Sequence, residues 1–384
     1  MLKRIVPLLL SVFLLTGCWG TKNIDHVVYI HSVGIDYKNN KFIVYVQLIS
    51  FTGLAKAEAG GGQQKINTTV GKATGKTFNI VTDNIYPSIQ QMVSWGHVKA
   101  IVFTDRALKR APLEDVFDVL DRYNEIRHTL WVYATKERLD KLFSTVPLLQ
   151  ASVYFSLLAN PIEIFEQSSF IRPIRLNRFV ADINEPGKTV RIPYLTISKT
   201  HWEENHKIKP MLAVSGICFL KHYKLQTCIN RSDLKGMRWV EKDISRTPIY
   251  VKKGGNVVAS IVVLGPTSTI SYKQNTSFPQ FTIEIKAKGS LIELRKPLTE
   301  KQLLALAKKT VEQEVRDLYM RGLTHHIDIF NLSETLYQER PKEWKKVSVN
   351  GSIPLRKETL KTVKVDLSID TSGTRKFTVD EQNR

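Results

Sequence analysis

The sequence predicts an α+β fold of several domains, in which mixed β-sheets have helices packed on them. Apolar strand patterns alternate with helical patterns over residues 98–143, which is typical of a mixed sheet covered by helices. A long amphipathic helix follows near residues 300–321, and a cleanly alternating strand lies at residues 362–370. We therefore expect an N-terminal region of α/β character and a C-terminal sheet that carries a long helix.

The domain boundaries follow from the chain length and from one polar stretch. The chain has 384 residues, of which 42% are apolar and 24% are charged, and this length is enough for two or three globular domains. Residues 184–210 are rich in proline and polar residues, so a boundary is expected near their end. We predict a signal peptide over residues 1–17, an N-terminal domain over 18–200 with room for two subdomains, and a C-terminal domain over 201–384.

The first element is a signal peptide that ends in a lipobox. Lys3 and Arg4 precede the apolar run 5–15, which is too short to cross a bilayer as a helix. The motif Leu15-Thr16-Gly17-Cys18 follows this run, with two small residues directly before the cysteine. We expect cleavage before Cys18 and lipidation of its thiol by a diacylglyceryl group with fatty acyl chains such as palmitate, which would hold the chain stably at a membrane. The alternative is an ordinary secretory signal whose cleavage site contains a cysteine.

The N-terminal region continues with a hairpin and then alternates helices and strands. Asn39 and Asn40 separate two strand patterns, because asparagine tolerates the left-handed turn that such a hairpin needs. Thr77 is expected to cap a helix that Pro87 interrupts, and Pro112 suits the first position of another helix. The other expected elements are strands over residues 27–37, 42–50, 98–103 and 130–134, and a helix near 136–143.

The C-terminal half has a hairpin, three strands and the strongest helix signal in the chain. Thr299 and Gln302 form a capping box, and Leu304, Ala307, Val311, Val315 and Leu318 form the apolar stripe of the helix that follows. Gly322 is the expected stop of this helix. The remaining elements are a hairpin over residues 214–229, strands over 257–264, 282–288 and 362–370, and a second helix around 327–338.

Two cysteines in the hairpin leave their pairing open. With a two-residue turn at His222-Tyr223, Cys218 faces Thr227 and the two thiols lie on opposite faces. A three-residue turn would bring Cys218 and Cys228 to the same face. Two cysteines do not make a disulfide framework, so free, buried thiols are the expectation.

The chain has a net charge of +20, which attracts polyanions. For an exported, lipid-anchored chain, the nearest polyanion is the anionic headgroup layer of a membrane, so no nucleic-acid partner is expected. The charge is spread along the sequence without a long basic run, and an ordinary solvated basic surface is the alternative.

The sequence predicts no enzyme, no cofactor and no metal site. Residues 71–77 resemble a phosphate-binding loop, but Val70 stands where the first glycine is required and the loop is one residue short. The chain lacks a Gly-x-Ser-x-Gly elbow and a His-Glu-x-x-His motif. His325 and His326 are adjacent and do not share a helix face, which argues against a two-histidine metal site.

The order of several short motifs resembles one protein family, the Ger(x)C lipoproteins, which are the C subunits of nutrient germinant receptors in spore-forming Bacillus-type bacteria. The resemblance covers nearly the whole mature chain and rests on these features: Cys18-Trp19, Gly34-Ile35-Asp36, Gly75-Lys76-Thr77, Gly96-His97, Arg122, Glu125-Ile126-Arg127, Gly216, the long helix and the terminal strand. Cys218 and Cys228 depart from the family pattern.

The resemblance implies a non-catalytic, lipid-anchored protein on the outer face of the spore's inner membrane. It implies integral membrane A and B subunits as partners, and a nutrient germinant such as an amino acid or a sugar that the complex answers. It also implies several mixed α/β domains and lipidation at Cys18, and no germinant-binding residue can be carried over. The rival hypotheses are an extracytoplasmic solute-binding lipoprotein of a transporter, with two lobes and a cleft, and an exported enzyme.

Overall fold

The computed structural model describes residues 26–49, 68–150, 153–273 and 278–371. Within this part of the chain, no helix is long and apolar enough to cross a membrane. The sixteen strands are β1 (Val27–Lys38), β2 (Lys41–Ile49), β3 (Thr69–Gly75), β4 (Met92–Ser94), β5 (Ala100–Thr104), β6 (Trp131–Thr135), β7 (Ile174–Arg175), β8 (Val190–Ser198), β9 (Glu203–Glu204), β10 (Lys207–Ile208), β11 (Met211–Lys221), β12 (Lys224–Asn230), β13 (Arg246–Lys253), β14 (Asn256–Lys273), β15 (Gln280–Leu294) and β16 (Leu360–Thr371).

The described α-helices lie between these strands or after them. They are α1 (Phe78–Asp83), α2 (Asp105–Arg110), α3 (Leu113–Arg122), α4 (Leu139–Phe143), α5 (Pro161–Gln167), α6 (Leu176–Asn184), α7 (Glu300–Thr324), α8 (Leu332–Glu339) and α9 (Pro341–Val347). Short 3₁₀ turns at Leu148–Gln150 and Val153–Phe155 connect α4 to α5.

The N-terminal sheet is mixed, with its parallel strands at the centre. Its strand order is β12-β11-β8-β6-β5-β1-β2-β3, and two short strands, β4 and β7, pair with β1 and β6. The strands β8, β6, β5 and β1 run parallel to one another, and antiparallel hairpins extend both edges. Parallel neighbours need crossover connections, and the segments that contain α2, α3, α4 and α6 supply them.

Both faces of this sheet are covered, which explains why its central strands are apolar on both sides. On one face, Val33, Ile101 and Val132 pack with Leu120 and Phe179 from the helices α3 and α6. On the other face, Val102 and Tyr133 pack with the segment that includes Leu142, Phe143 and Leu158.

The C-terminal sheet has four strands in the order β13-β14-β15-β16 and packs against α7. The first three strands form an antiparallel meander, and β16 returns parallel to β15 after the helical segment. Ala307, Val311, Val315 and Leu318 of α7 are buried in the core that this sheet shares with the helix. The inward residues of β16 include Val363 and Leu367, as the alternating pattern predicts.

The hairpin of β11 and β12 belongs to both halves of the molecule. By hydrogen bonding it extends the N-terminal sheet, because β11 pairs with β8 from Met211 to Leu220. By packing it reaches the C-terminal core, because Ile217, Phe219 and Ile229 lie in the same cluster as α7. The division into residues 18–200 and 201–384 stays a prediction, and it assigns this hairpin to the C-terminal range although β11 pairs with β8 of the N-terminal range.

The α+β fold class is confirmed, and several element predictions are confirmed with it. Asn39 and Asn40 have φ of 53° and 55°, which is the left-handed turn expected of them. Thr77 caps α1, and the capping box of Thr299 and Gln302 is present at the start of α7.

Three local predictions are wrong. Pro112 is the N-cap of α3 and not its first helical residue. Gly322 lies inside α7, where its missing side chain leaves room for Ile329, and the helix ends two residues later. The proline-rich stretch contains β8, a strand in the interior of the sheet that the sequence did not indicate.

Candidate functional site

Cys18, the predicted lipidation site, lies outside the described residues, and so does the predicted signal peptide over residues 1–17. The first described strand begins at Val27, nine residues after Cys18. Lipidation of Cys18 therefore stays a prediction.

The motif Gly34-Ile35-Asp36 forms a buried polar junction between β1 and α2. The Asp36 carboxylate is 4% exposed and accepts a hydrogen bond of 2.6 Å from the Thr104 hydroxyl and a two-pronged ion pair from Arg106. Thr104 also caps α2, because its hydroxyl oxygen accepts the Ala107 N–H at 3.2 Å. A side chain at Gly34 would collide with Leu139 and Phe143 of α4. This motif therefore fixes the sheet to its helices.

Two further motifs meet in space although they are far apart in sequence. The Glu125 carboxylate accepts the N–H of Trp95 at 3.2 Å, so Glu125-Ile126-Arg127 lies next to Gly96-His97.

Arg122 points to solvent and pairs with Asp118 on its own helix. Gly216 is required by close packing, because an added Cβ would collide with the Ile229 carbonyl. The structure thus gives structural roles to these resemblance motifs.

Cys218 and Cys228 form a disulfide, so the prediction of free thiols is wrong. Of the two turns that the sequence left open, the two-residue turn is present, since His222 and Tyr223 both have positive φ. A β-bulge then leaves Gln226 without a partner, and the register shifts so that Cys218 lies opposite Cys228. One extra residue in a strand is enough to bring the two side chains to the same face.

The Asp105 carboxylate lies next to this disulfide, within 4.8 Å of both sulfur atoms. Its Oδ1 atom is buried and has no hydrogen-bond partner, and burial raises the pKa of Asp105. Lys136 is 3.9 Å from the other oxygen. Because the sulfur atoms are bonded to each other, they are not thiolates, and the cluster does not fit a metal ion in this form.

His31 is a buried histidine on the same sheet face as the segment after α4. Its Nδ1 atom lies 2.9 Å from the Gln47 side-chain oxygen and 2.9 Å from the Ser32 hydroxyl, and its Nε2 atom has no partner. The Tyr154 ring packs edge-on against it at 5.4 Å. Burial is the main cause that lowers the pKa of His31 to about 4. The imidazole is therefore neutral at physiological pH.

Two surface hollows are present among the described residues. The first, about 520 Å³, lies between α7 and the turn at Asp233, whose carboxylate pairs with Arg321 at 3.3 Å. The second, about 320 Å³, lies between α3 and α6 and has Phe117 and Tyr223 in its lining. Neighbouring side chains pair with the acidic groups at its rim, as Arg122 does with Asp118.

Ion pairs join the N-terminal sheet to the helices after α7. The Lys188 ammonium is 10% exposed and contacts Asp182 at 3.2 Å and Glu334 at 2.6 Å. Next to it, the Thr189 N–H donates to the Asn331 side chain at 2.8 Å. Asp328 accepts the N–H groups at the start of α8, and burial raises the pKa of this carboxyl to about 6.

Comparison with protein families shows two matches that together span most of the chain. Residues 20–197 match the spore germination protein N-terminal domain, and residues 215–373 match the spore germination B3/GerAC-like C-terminal domain.

Individual relatives and a solved structure agree with these family matches. The chain is 26% identical to the putative spore germination protein YfkR of Bacillus subtilis (strain 168), over 76% of this chain and 74% of the relative. It is 23% identical to spore germination protein KC of the same organism, over 95% and 93% of the two chains. The crystal structure of the GerBC protein is similar in fold, with a TM-score of 0.53, 16% identity, and coverage of 88% of this chain and 96% of that one.

Proposed function

This chain belongs to the Ger(x)C family of spore germination proteins, and from that premise we propose that it is a lipid-anchored, non-catalytic subunit of a nutrient germinant receptor. Its role in spore germination follows from the family. The observation that carries the proposal is the pair of family matches over residues 20–197 and 215–373, in the order that the family has them.

The anchor part of the proposal rests on the lipobox that ends at Cys18. A leucine, two small residues and a cysteine follow an apolar run of signal-peptide length. Two acyl chains on one residue hold a protein stably at a membrane, whereas one chain does so only marginally. Such an anchor confines the protein to the outer face of the cytoplasmic membrane, which in a spore is the inner membrane.

The partner part of the proposal follows from this confinement. Restriction to a thin layer raises the effective concentration of the protein for other membrane proteins. We propose that the partners are the integral membrane A and B subunits of the receptor, and that the nutrient acts on the assembled complex. The basic composition of the chain, with a net charge of +20, favours an orientation toward anionic headgroups or acidic partner loops.

The rival function, a solute-binding lipoprotein of a transporter, requires two similar lobes joined by hinge strands. In this chain the two main sheets differ in strand number and in strand order. The hairpin of β11 and β12 also packs into both cores, which opposes a hinge motion between them. These features favour a rigid scaffold over a protein whose two lobes close around a solute.

The first experiment tests the anchor in spores with Cys18→Ala. We expect the variant to leave the membrane fraction, and nutrient-triggered germination to be impaired because the protein no longer reaches its partners. Gly17→Ala is the matched control, since it keeps a small residue before the cleavage site and should stay in the membrane. Normal membrane retention of Cys18→Ala, measured by fractionation and immunoblotting, would contradict the anchor.

The second experiment tests membership in a complex. Detergent extracts of spore membranes are passed over an affinity tag on this chain, and the co-purifying proteins are identified by mass spectrometry. We expect two multi-span membrane proteins in the extract from the wild type and their loss with Cys18→Ala. Tight binding of a nutrient to the purified, unlipidated chain by calorimetry, without such partners, would favour the solute-binding rival.

A further inference from the structure

Three large apolar side chains are exposed near the start of β1. Leu149 is 92% exposed, Phe155 is 70% exposed and Met92 is 53% exposed. Single exposed apolar residues are common on protein surfaces, so their individual exposure needs no explanation. The shared position of these three is what distinguishes them.

Backbone pairing and ring contacts place these residues at one end of the N-terminal sheet. Met92 pairs with Val27, the first residue of β1. Phe155 follows Tyr154, and the Tyr154 ring packs against His31, which is four residues after Val27 in β1. Side chains alternate along a strand, so Val27 and His31 share one face, and Met92 lies on the same face as its partner Val27.

Leu149 lies in the chain between two points that are fixed to this end of the sheet. Before it, the Phe143 carbonyl accepts a hydrogen bond of 2.7 Å from the Gln47 side chain. After it, Tyr154 contacts His31. Leu149 itself has φ of 55°, a left-handed conformation that leucine seldom adopts.

The segment that carries Leu149 and Phe155 contains no charged residue. Residues 142–162 include no Asp, Glu, Lys, Arg or His, in a chain of which 24% is charged. The hydroxyl groups at the start of this segment donate to backbone carbonyls of α4. Ser144 donates to the Asp140 carbonyl at 2.7 Å, and Thr145 donates to the Lys141 carbonyl at 3.0 Å. Many of its described side chains are buried in the core, as Leu142, Phe143 and Leu158 are, and Leu149 and Phe155 are among those that it leaves exposed. Exposed apolar side chains that lie together are typical of a surface that another apolar phase covers.

The position of the anchor indicates which phase this is. Cys18 is nine residues before Val27, and nine residues can span at most about 30 Å. The start of β1 therefore lies close to the bilayer if Cys18 carries lipid. Exposed apolar side chains at this position are compatible with the hydrocarbon and the interface of a bilayer.

We propose that Met92, Leu149 and Phe155 form a membrane-contact surface that inserts shallowly into the lipid bilayer and holds the N-terminal sheet at a fixed orientation to it. This inference rests on the proposed lipid anchor. The ligand is the apolar interface of a phospholipid bilayer. The surface adds a second attachment to that of the acyl chains and fixes the orientation of the sheet to the bilayer.

The first test measures contact with lipid in the full, lipidated chain. Phe155→Cys carries a thiol-reactive fluorophore, because the native cysteines are occupied by lipid and by the disulfide, and the protein is reconstituted in vesicles of phosphatidylglycerol and phosphatidylethanolamine with brominated acyl chains. We expect the bromine to lower the fluorescence at residue 155 about two-fold or more. Tyr250→Cys is the matched control, since Tyr250 is 53% exposed on the edge strand β13 of the other sheet, and its label should be unaffected.

The second test removes the anchor and so separates the two proposals. The unlipidated Cys18→Ala chain is sedimented with the same vesicles, and Leu149→Ser with Phe155→Ser should lower its partition about ten-fold, whereas Tyr250→Ser should leave it within about two-fold. Equal partition of all three proteins would overturn the membrane-contact surface while leaving the anchor intact. An unquenched label at residue 155 in anchored protein, together with a cross-link from that position to another protein in native membranes, would identify a protein contact and also overturn it.

Discussion

His31 shows what a single buried titratable group contributes to the molecule. The sheet and Tyr154 exclude water from the imidazole, so protonation is disfavoured, and the nearby charge of Lys99 disfavours it further. The hydrogen bond with Gln47 acts in the opposite direction but is the smaller effect. The folded state therefore binds a proton at His31 less readily than the unfolded chain does.

The sign of the pH dependence follows from this lowered pKa. Above the ordinary pKa of 6.5 the histidine is neutral in both states, and its contribution to stability is fully present. As the pH falls from 6.5 toward 4, the unfolded state gains a proton first, so the free energy of unfolding should fall by about 3 kcal/mol. His31→Gln should lack this part of the slope. Urea unfolding over this pH range checks it, and parallel curves for the two proteins would contradict the expectation.

At the residue scale, the disulfide is a second contribution to the free energy of unfolding. Cys218 and Cys228 are separated by ten residues, and closing a loop of that length corresponds to about 2–3 kcal/mol in the free energy of unfolding. We expect dithiothreitol to lower the urea midpoint of the wild type accordingly. The Cys218→Ser, Cys228→Ser double variant is the control and should not respond to the reductant. An identical response of both proteins would show that the reductant acts elsewhere.

Sequence reasoning missed this bond because register depends on every residue between the turn and the cysteines. The sequence left a two-residue and a three-residue turn open, and the bulge at Gln226 has no signal in residue type. His31 and Asp105 were missed for a related reason. A lone histidine or aspartate in the sequence carries no sign of what will cover it after folding.

At the scale of elements, α7 is the helix whose start and buried face were predicted best from the sequence. The Thr299 hydroxyl accepts the Gln302 N–H, and the Gln302 side chain accepts the Thr299 N–H, each at 3.2 Å. Thr299→Ala should destabilise the protein by about 1 kcal/mol because the Gln302 N–H loses its partner. Thr299→Ser retains the hydroxyl and should be near neutral. Thermal unfolding measures both, and an equal loss in the two variants would contradict the capping role.

The strand β8 shows why other elements could not be predicted. Its apolar residues are interrupted by Pro193 and Arg191, so the pattern resembles a boundary more than a strand. Only Tyr194 and Leu195 pair with β6, and Pro193 lies where that pairing ends. Tertiary pairing with β11 thus stabilises a strand that its own composition does not favour.

At the scale of the whole molecule, Lys188 links the helix α6 to α8. Its ammonium is shared between Asp182 and Glu334, and all three side chains are largely buried. Removing one member of a buried ion pair leaves an uncompensated charge, so Lys188→Met should cost about 3 kcal/mol. The loss of this ion pair should also separate the unfolding of the two sheets into two distinct transitions.

The control for this prediction is an exposed ion pair of the same protein. Arg122 and Asp118 have side chains that are 74% and 60% exposed, and Arg122→Met should give no measurable change. Differential scanning calorimetry distinguishes one transition from two. A single transition of unchanged midpoint in Lys188→Met would show that the link carries no stability.

The fold class and the family could be inferred from the sequence because alternation, capping and motif order are local signals. The membrane-contact surface could not, since Met92 and Phe155 are far apart in sequence and are brought to the same end of the sheet by the pairing of β4 with β1 and the packing of Tyr154. The absence of charge over residues 142–162 was visible in the sequence and is the signal that could have pointed to it.

The hairpin of β11 and β12 has a practical consequence for anyone who cuts this gene into pieces. A fragment that starts at residue 201 takes the hairpin with it and leaves β8 with a bare edge on the other fragment, where unpaired N–H and C=O groups invite aggregation. A fragment that ends after residue 230 keeps the edge but carries Ile217, Phe219 and Ile229 into water. The two halves are therefore expected to be soluble only when they are co-expressed or left joined.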